Sequence, residues 1–102
     1  MKGGEGMTVS SVTLAMVKEF CGIYDNDSDD LLSALMPAAK SYIMGYTGLT
    51  AAEIDEHEDI VYAYCVIIND AFNNRDYTLT SYRKPAPTVE NILSMYAVNH
   101  LG

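Results

Sequence analysis

Hydrophobic side chains recur along residues 31–46 with the period of an α-helix. On a helical wheel of about 100° per residue, an apolar set falls within an arc of roughly 140°. Its members are Leu31, Leu32, Leu35, Met36, Ala39, Tyr42, Ile43 and Tyr46. The pattern predicts a helix over residues 28–46 with one side facing a core. Asp27 or Ser28 can cap its start, and Gly48 suits the position just after its end.

Pro37 lies inside this predicted helix, on the side opposite the apolar set. A proline ring removes one backbone hydrogen bond and crowds the preceding turn, so we expect the helix to bend at this point. Because the ring lies on the outer side, the bend would curve the helix around the core.

Shorter versions of the same pattern predict three more helices, over residues 13–21, 56–74 and 88–97. Residues 50–53 are Thr-Ala-Ala-Glu, the signature of a capping box that opens a short turn or helix. A connection over residues 76–88 combines β-forming residues with prolines and has no helical face. The predicted fold class is therefore all-α, a small bundle of four to five helices with one long connecting loop before the C-terminal helix.

The length of 102 residues suits a single domain with one modest core. We expect a flexible N-terminus over residues 1–12, a helical domain over residues 13–97 and a C-terminal tail over residues 98–102. The longest apolar run, residues 63–68, is too short to cross a bilayer, and the polar, glycine-rich start lacks a signal-peptide pattern. We therefore expect no membrane partner.

The formal net charge of −8 limits what the chain can bind. Neutralising nucleic-acid phosphates requires clustered lysine and arginine, and the chain has six such residues against fourteen Asp and Glu. The charge therefore predicts no specific DNA binding. In a chain without a signal peptide, Cys21 and Cys65 are expected to be reduced thiols and not a disulfide.

Two acidic clusters are the candidates for metal or catalytic chemistry. Residues 25–30 begin like a calcium-binding loop, but Asp30 and Met36 stand where that loop needs glycine and glutamate. Residues 53–59 surround His57 with carboxylates, but no second histidine is spaced to complete a metal site or catalytic pair. Helix capping and favourable charge at helix starts account for both clusters. The sequence therefore indicates no metal, no cofactor and no enzymatic activity.

Two groups of residues are candidates for an interface. Tyr62 and Val66 form a small apolar strip on the otherwise polar side of the helix predicted over residues 56–74. A partner surface and scattered exposure are equally good interpretations of this strip. The long connection supplies the second group, whose members are of types found in interfaces: Tyr77, Tyr82, Arg83 and Lys84.

The order of several loose motifs resembles a known protein family. They are the acidic helix start at residues 27–30, Tyr-Ile-x-x-Tyr-Thr-Gly at residues 42–48, Asn-Arg at residues 74–75 and Pro-Thr-Val-Glu-Asn-Ile-Leu at residues 87–93. Over residues 13–97 the chain resembles the head–tail connector proteins of long-tailed bacteriophages, also called adaptor or DNA-packaging proteins.

This resemblance implies a virion structural protein that forms a dodecameric ring below the portal. The ring would extend the DNA channel, let DNA pass without specific binding, and dock a stopper or tail-completion protein. Its location would be the head–tail junction of the virion, and the bacterial host cytoplasm before assembly. The alternative is a small helical DNA-packaging regulator or DNA-binding module similar to a terminase small subunit, and the net charge of −8 counts against it.

Overall fold

The computed structural model describes residues 8–73 and 87–101, with side chains up to residue 97, and these residues form an all-helical bundle. A short 3₁₀ helix precedes the α-helices. The elements in order are the 3₁₀ helix Val9–Ser11, α1 Leu14–Cys21, α2 Asp29–Thr47, α3 Ala51–Ile54, α4 Glu58–Asn73 and α5 Pro87–Leu101. The predicted all-α fold class is confirmed. Within the described ranges, no helix is both long and apolar enough to span a bilayer.

Helix α2 is continuous through Pro37, whose ring is exposed on the outer side as the wheel predicted. The apolar side of α2 packs against α4 and α5, with Leu32, Ala39 and Ile43 completely buried. The prediction was wrong for Leu31, which is 37% exposed. Leu31 lies at the edge of the apolar arc, in the first turn of α2.

The sequence pattern did not identify Thr47 as a core residue, yet it is completely buried at the end of α2. Its hydroxyl donates a hydrogen bond of 2.8 Å to the carbonyl of Ile43 and accepts one of 3.1 Å from the backbone N–H of Leu49. A buried hydroxyl is tolerated when its hydrogen bonds are satisfied, as they are here. Gly48 then ends the helix with a φ of +79°, the left-handed conformation that favours glycine.

Helix α4 packs against α1, α2, α5 and the 3₁₀ helix, so it has neighbours on several sides. It begins at Glu58, two residues later than predicted. The apolar pattern of the sequence predicts one broad face, formed by Ile60, Val61, Tyr64, Cys65, Ile67, Ile68, Ala71 and Phe72. The helix buries more of its circumference than that face. Ala63, outside that face, is completely buried, whereas Phe72, inside it, is only partly buried. A helix enclosed by neighbours on several sides buries residues that a one-sided pattern would leave out.

Residues 8–12, the described part of the chain before α1, pack on the core, whereas the sequence predicted a flexible N-terminus over residues 1–12. Val9 and Val12 are buried. Ser10 donates hydrogen bonds from its backbone N–H (3.1 Å) and its hydroxyl (2.6 Å) to the two carboxylate oxygens of Asp55. These bonds lower the pKa of the Asp55 carboxyl, with Lys40 assisting. The contact joins residues 45 positions apart in the chain, so no local sequence pattern could reveal it.

Helix α5 is longer than predicted. It runs from Pro87 to Leu101, so residues 98–101, expected to form a tail, continue the helix. The sequence pattern predicts an apolar edge of Val89, Ile92, Leu93 and Tyr96 for this helix. Val89 and Leu93 are completely buried, and Ile92 and Tyr96 are partly buried. Neither proline nor glycine interrupts residues 88–101, so nothing local stops the helix earlier.

The helix starts are capped as predicted in two cases and not in the third. The Thr13 hydroxyl accepts the backbone N–H of Met16, and Thr50 and Glu53 form a reciprocal capping box. Ser28, at the N-cap position of α2, makes no side-chain cap hydrogen bond. Its backbone has φ −110° and ψ 14°, outside the extended conformation that points a cap side chain at the helix N–H groups.

A pair of alanine substitutions is expected to separate these two kinds of helix start. Thr50→Ala should lower the free energy of unfolding by about 1 kcal/mol, because it removes one half of a capping box. Ser28→Ala should change it by less than about 0.5 kcal/mol, because no cap bond is lost. Urea denaturation followed by circular dichroism measures both values. An equal loss in the two variants would contradict the cap assignment.

Candidate functional site

The most distinctive exposed feature of the described residues is an aromatic pair between α1 and α4. Phe20 near the end of α1 is 42% exposed, and Tyr62 near the start of α4 is 50% exposed. Their rings meet edge to face, with centroids 5.9 Å apart and an interplanar angle of 78°. This is the geometry that aromatic pairs prefer. The two rings therefore hold each other in place while much of their apolar area remains in solvent.

Two grooves lie on either side of Phe20, and Cys65 contributes to both. One has a volume of about 270 Å³ and reaches Val12 and Met16, with Glu19 at its edge. The other has a volume of about 350 Å³ and is lined by Val61 and Tyr62, with Glu58 at its edge. We call the apolar lining of both grooves the Phe20 surface; it consists of Val12, Met16, Phe20, Val61, Tyr62 and Cys65.

The charged residues that the structure places at the two grooves are both acidic. Each groove is lined by one glutamate, and neither Lys18 nor Lys40, the basic residues that the structure describes, lines either groove. Lys18, the basic residue of α1, is held by α2: its ammonium lies 2.8 Å from Asp29 Oδ1 and 2.7 Å from Asn26 Oδ1. Lys40 is the only other Lys or Arg in the described residues, which contain every Asp and Glu except Glu5 and Asp76. The described surface is therefore strongly acidic.

The predicted interface residues differ in how far the structure exposes them. Tyr62 is exposed and belongs to the Phe20 surface, whereas Val66 is half-buried and packs against the core. The other four candidates, Tyr77, Tyr82, Arg83 and Lys84, lie outside the described residues.

Sequence reasoning missed Phe20 and Met16 as surface residues. The sequence pattern predicts one apolar side of the first helix, formed by Leu14, Val17 and either Cys21 or Phe20, and Val17 is indeed completely buried. Phe20 and Met16, four positions apart, form a second apolar edge beside Val17. That i, i+4 pair was the available signal. Only the position of α4 shows that the edge is open to solvent.

Both cysteines are free thiols, as predicted. Burial raises the pKa of Cys65, which is almost fully covered at the base of the grooves, and also that of Cys21. A raised pKa keeps the thiol protonated and lowers its nucleophilicity near neutral pH. Cys65 therefore contributes apolar surface to the grooves, not a reactive group.

The acidic cluster around His57 makes structural contacts. Glu53 caps α3, Asp55 binds Ser10, and Asp59 accepts the Tyr96 hydroxyl at 2.8 Å to each of its oxygens. The His57 ring stacks on the Tyr96 ring at a centroid distance of 4.3 Å. Burial and the Asp59 carboxylate raise the pKa of Tyr96 to about 12.

The second acidic cluster, residues 25–30, also makes local and helix-to-helix contacts. Asp25 accepts the backbone N–H of Asp27 at 3.0 Å, and Asp29 pairs with Lys18. Across the described residues, no three His, Cys, Asp or Glu side chains are grouped so that they could hold a metal ion. These contacts assign Asp25, Asp29, Glu53, Asp55 and Asp59 to the fold, and they leave the Phe20 surface, with Glu58 beside it, as the candidate functional site.

Comparison with known proteins identifies the family. The family model described as phage gp6-like head-tail connector protein matches residues 11–96, from the 3₁₀ helix to Tyr96 in α5. No curated protein and no solved structure matches the chain. The matched region includes all residues of the Phe20 surface and all five helices except the last residues of α5. The chain therefore belongs to the phage gp6-like head-tail connector protein family.

Proposed function

We propose that the protein assembles as a closed dodecameric ring of identical copies below the portal. In this position the ring extends the DNA channel and presents a docking surface for a stopper or tail-completion protein. Before assembly, the protein resides in the bacterial host cytoplasm.

Family membership supports the broader part of this function. The family is a structural one and not an enzyme family, so the protein is a phage structural connector of the virion head–tail junction. A connector of this kind interacts with other virion components such as portal and tail proteins. The ring, its stoichiometry and the identity of each docking partner are our proposal.

The observation that carries the proposal is the exposed Phe20 surface. A small domain does not gain stability by leaving a paired phenylalanine and tyrosine half in solvent, beside two apolar grooves. Such a patch is typical of a surface that another protein covers. Tyrosine and phenylalanine are also residue types enriched at interfaces. We propose that Tyr62 and Val66 contribute to one side of the ring contact.

The remaining candidate interface residues belong to the same proposal. Tyr77, Tyr82, Arg83 and Lys84 combine aromatic area with positive charge, which an acidic neighbour can bind. We propose that this segment contacts the portal or a neighbouring subunit. A contact with a partner would offset the conformational entropy that any segment held in one conformation loses.

The acidic surface fits a channel protein that does not retain DNA. Asp and Glu strongly outnumber Lys and Arg in this chain. Such a surface repels phosphate groups. DNA then passes the ring without specific binding. A packaging regulator similar to a terminase small subunit would need the opposite charge on its recognition helix.

Imaging tests the proposed ring. The full-length protein is mixed with the portal protein of the same phage and examined by negative-stain electron microscopy and native mass spectrometry. We expect rings stacked on the portal. A double Phe20→Ser and Tyr62→Ser variant should lose these rings while keeping its helical circular dichroism. Met95→Ser is the matched control, because Met95 is 62% exposed on α5, away from the Phe20 surface.

A gel-shift assay tests the alternative function. The connector proposal expects no tight binding of the protein to DNA from the same phage at physiological salt. Tight, sequence-selective retention, together with absence of rings on the portal, would reject the connector ring in favour of the packaging regulator.

A further inference from the structure

We infer that the grooves of the Phe20 surface receive residues 77–84 of a neighbouring copy of this chain. The inference rests on the proposed ring and names the contact that would join its adjacent subunits. It assigns to Glu19 and Glu58 the role of binding the positive charge of the incoming segment.

The grooves define the chemistry of their occupant. Their lining is apolar, with Cys65 shared between them, and each has a glutamate at its edge. An occupant that buries aromatic side chains in the grooves must therefore also supply positive charge to Glu19 and Glu58. Left without a cation, these carboxylates would lose hydration when a partner covers them. Nucleic acid and acidic peptides are excluded, because they would add negative charge at the same place.

The chain contains one segment with this chemistry. Residues 77–84 are Tyr-Thr-Leu-Thr-Ser-Tyr-Arg-Lys, two tyrosines followed by two adjacent cations. The only other Lys and Arg are Lys2, Lys18, Lys40 and Arg75. Lys18 is already paired with Asp29, as described above. Arg83 and Lys84 are therefore the only two basic residues that are adjacent in the sequence, and Tyr77 and Tyr82 precede them in the same segment.

The positions of groove and segment suit a contact between copies. Tyr62 lies in the first turn and a half of α4, whereas residues 74–86 follow Asn73 at its other end. Eleven helical residues between these points span about 16 Å at roughly 1.5 Å per residue. A ring needs a heterologous contact, in which one surface of each copy meets a different surface of the next. Tyr62 and the point where the chain leaves α4 lie apart on each copy, so the groove and the segment can serve as the two surfaces, and the mixing experiment distinguishes a neighbour's segment from the chain's own.

A peptide experiment tests the fit. The titrated protein is the full-length chain in which Tyr77, Tyr82, Arg83 and Lys84 are all replaced by serine, so that its own segment does not compete for the grooves. A fluorescein-labelled peptide of residues 76–86 is added, and fluorescence anisotropy is measured. We expect saturable binding. Glu19→Lys with Glu58→Lys should weaken it at least about tenfold, since like charges then face each other.

Charge exchange locates the contact. A peptide carrying Arg83→Glu and Lys84→Glu should bind the unreversed protein weakly and the Glu19→Lys, Glu58→Lys protein more tightly. Asp30→Lys with Glu90→Lys is the matched control, because it changes the net charge equally at two exposed positions outside the grooves. Equal weakening by the control pair would show a general charge effect and overturn the assignment to the grooves. Absence of peptide binding would overturn it as well.

A mixing experiment shows whether the segment comes from a neighbour. The Glu19→Lys, Glu58→Lys chain and the Arg83→Glu, Lys84→Glu chain are each examined with portal, alone and mixed in equal amounts. We expect no rings from either chain alone and alternating rings from the mixture. Peptide binding without rescue by mixing would show that the segment occupies its own chain's groove. If the wild-type protein forms rings but the peptide does not bind, the proposed ring is supported and this contact is rejected. Peptide binding by a protein that never forms rings would reject the proposed ring and this contact with it.

Discussion

Leu32→Ala is expected to lower the free energy of unfolding by about 2–5 kcal/mol, the usual cost of truncating a fully buried leucine. Leu32 has no exposed surface and lies on the side of α2 that packs against α4 and α5. Alanine would remove three buried carbon atoms and leave a cavity among these helices. A domain of this size has a total stability of about 5–15 kcal/mol, so the loss is a large part of it.

The adjacent leucine provides the matched control. Leu31→Ala makes the same chemical change one position away, at a side chain that is 37% exposed. We expect it to cost less than about 1 kcal/mol. Thermal and urea denaturation of both variants, followed by circular dichroism, measures the difference. Similar losses in the two variants would show that α2 is rotated relative to the packing described here.

Raising the pH above 10 is expected to destabilise the protein through Tyr64. Burial of this side chain, which is 3% exposed, is the main cause that raises its pKa to about 12. An unfolded tyrosine has a pKa of about 10. The folded state therefore favours the neutral phenol, and this contribution is fully present below pH 10. It is lost as the pH rises from about 10 to about 12, by on the order of 3 kcal/mol in all.

Tyr64→Phe tests this expectation, because the variant keeps the ring and cannot ionise. We expect it to be within about 1 kcal/mol of the wild type at pH 7 and to lose less stability between pH 10 and 12. Tyr96→Phe should also reduce the alkaline loss, since the pKa of Tyr96 is raised to about 12. Tyr62→Phe is the control for removing an exposed phenol. Urea denaturation at several pH values gives the profiles; an unchanged profile for Tyr64→Phe would contradict the assigned burial.

The candidate site was only partly visible in the sequence. Tyr62 was predicted as an interface residue from its position on the polar side of its helix, and the structure exposes it. Phe20 was predicted only as an alternative to Cys21 on the apolar side of the first helix. A helical wheel gives the direction of a side chain but not the distance to the next element. Whether an apolar edge is covered or open therefore depends on where the other helices lie.

The sequence by itself determined the helices and several of their ends. Capping by Thr13 and by the Thr50–Glu53 pair, and the left-handed glycine at Gly48, involve residues within a few positions of one another. Such short-range hydrogen bonds are readable from local sequence, and so is the 3.6-residue repeat of apolar side chains. The order of the motifs also identified the family, which the match over residues 11–96 shows.

Only the tertiary structure decided which side chains are covered. The hydrogen bonds from Ser10 to Asp55 and from Tyr96 to Asp59 join residues 45 and 37 positions apart. They attach the first residues of the described chain and the last helix to the two ends of the acidic cluster. Packing likewise buries Leu32 but leaves Leu31 partly exposed, and it leaves Phe20 exposed to solvent beside Tyr62. Burial is a property of the neighbours that folding brings together, and a local pattern does not contain their positions.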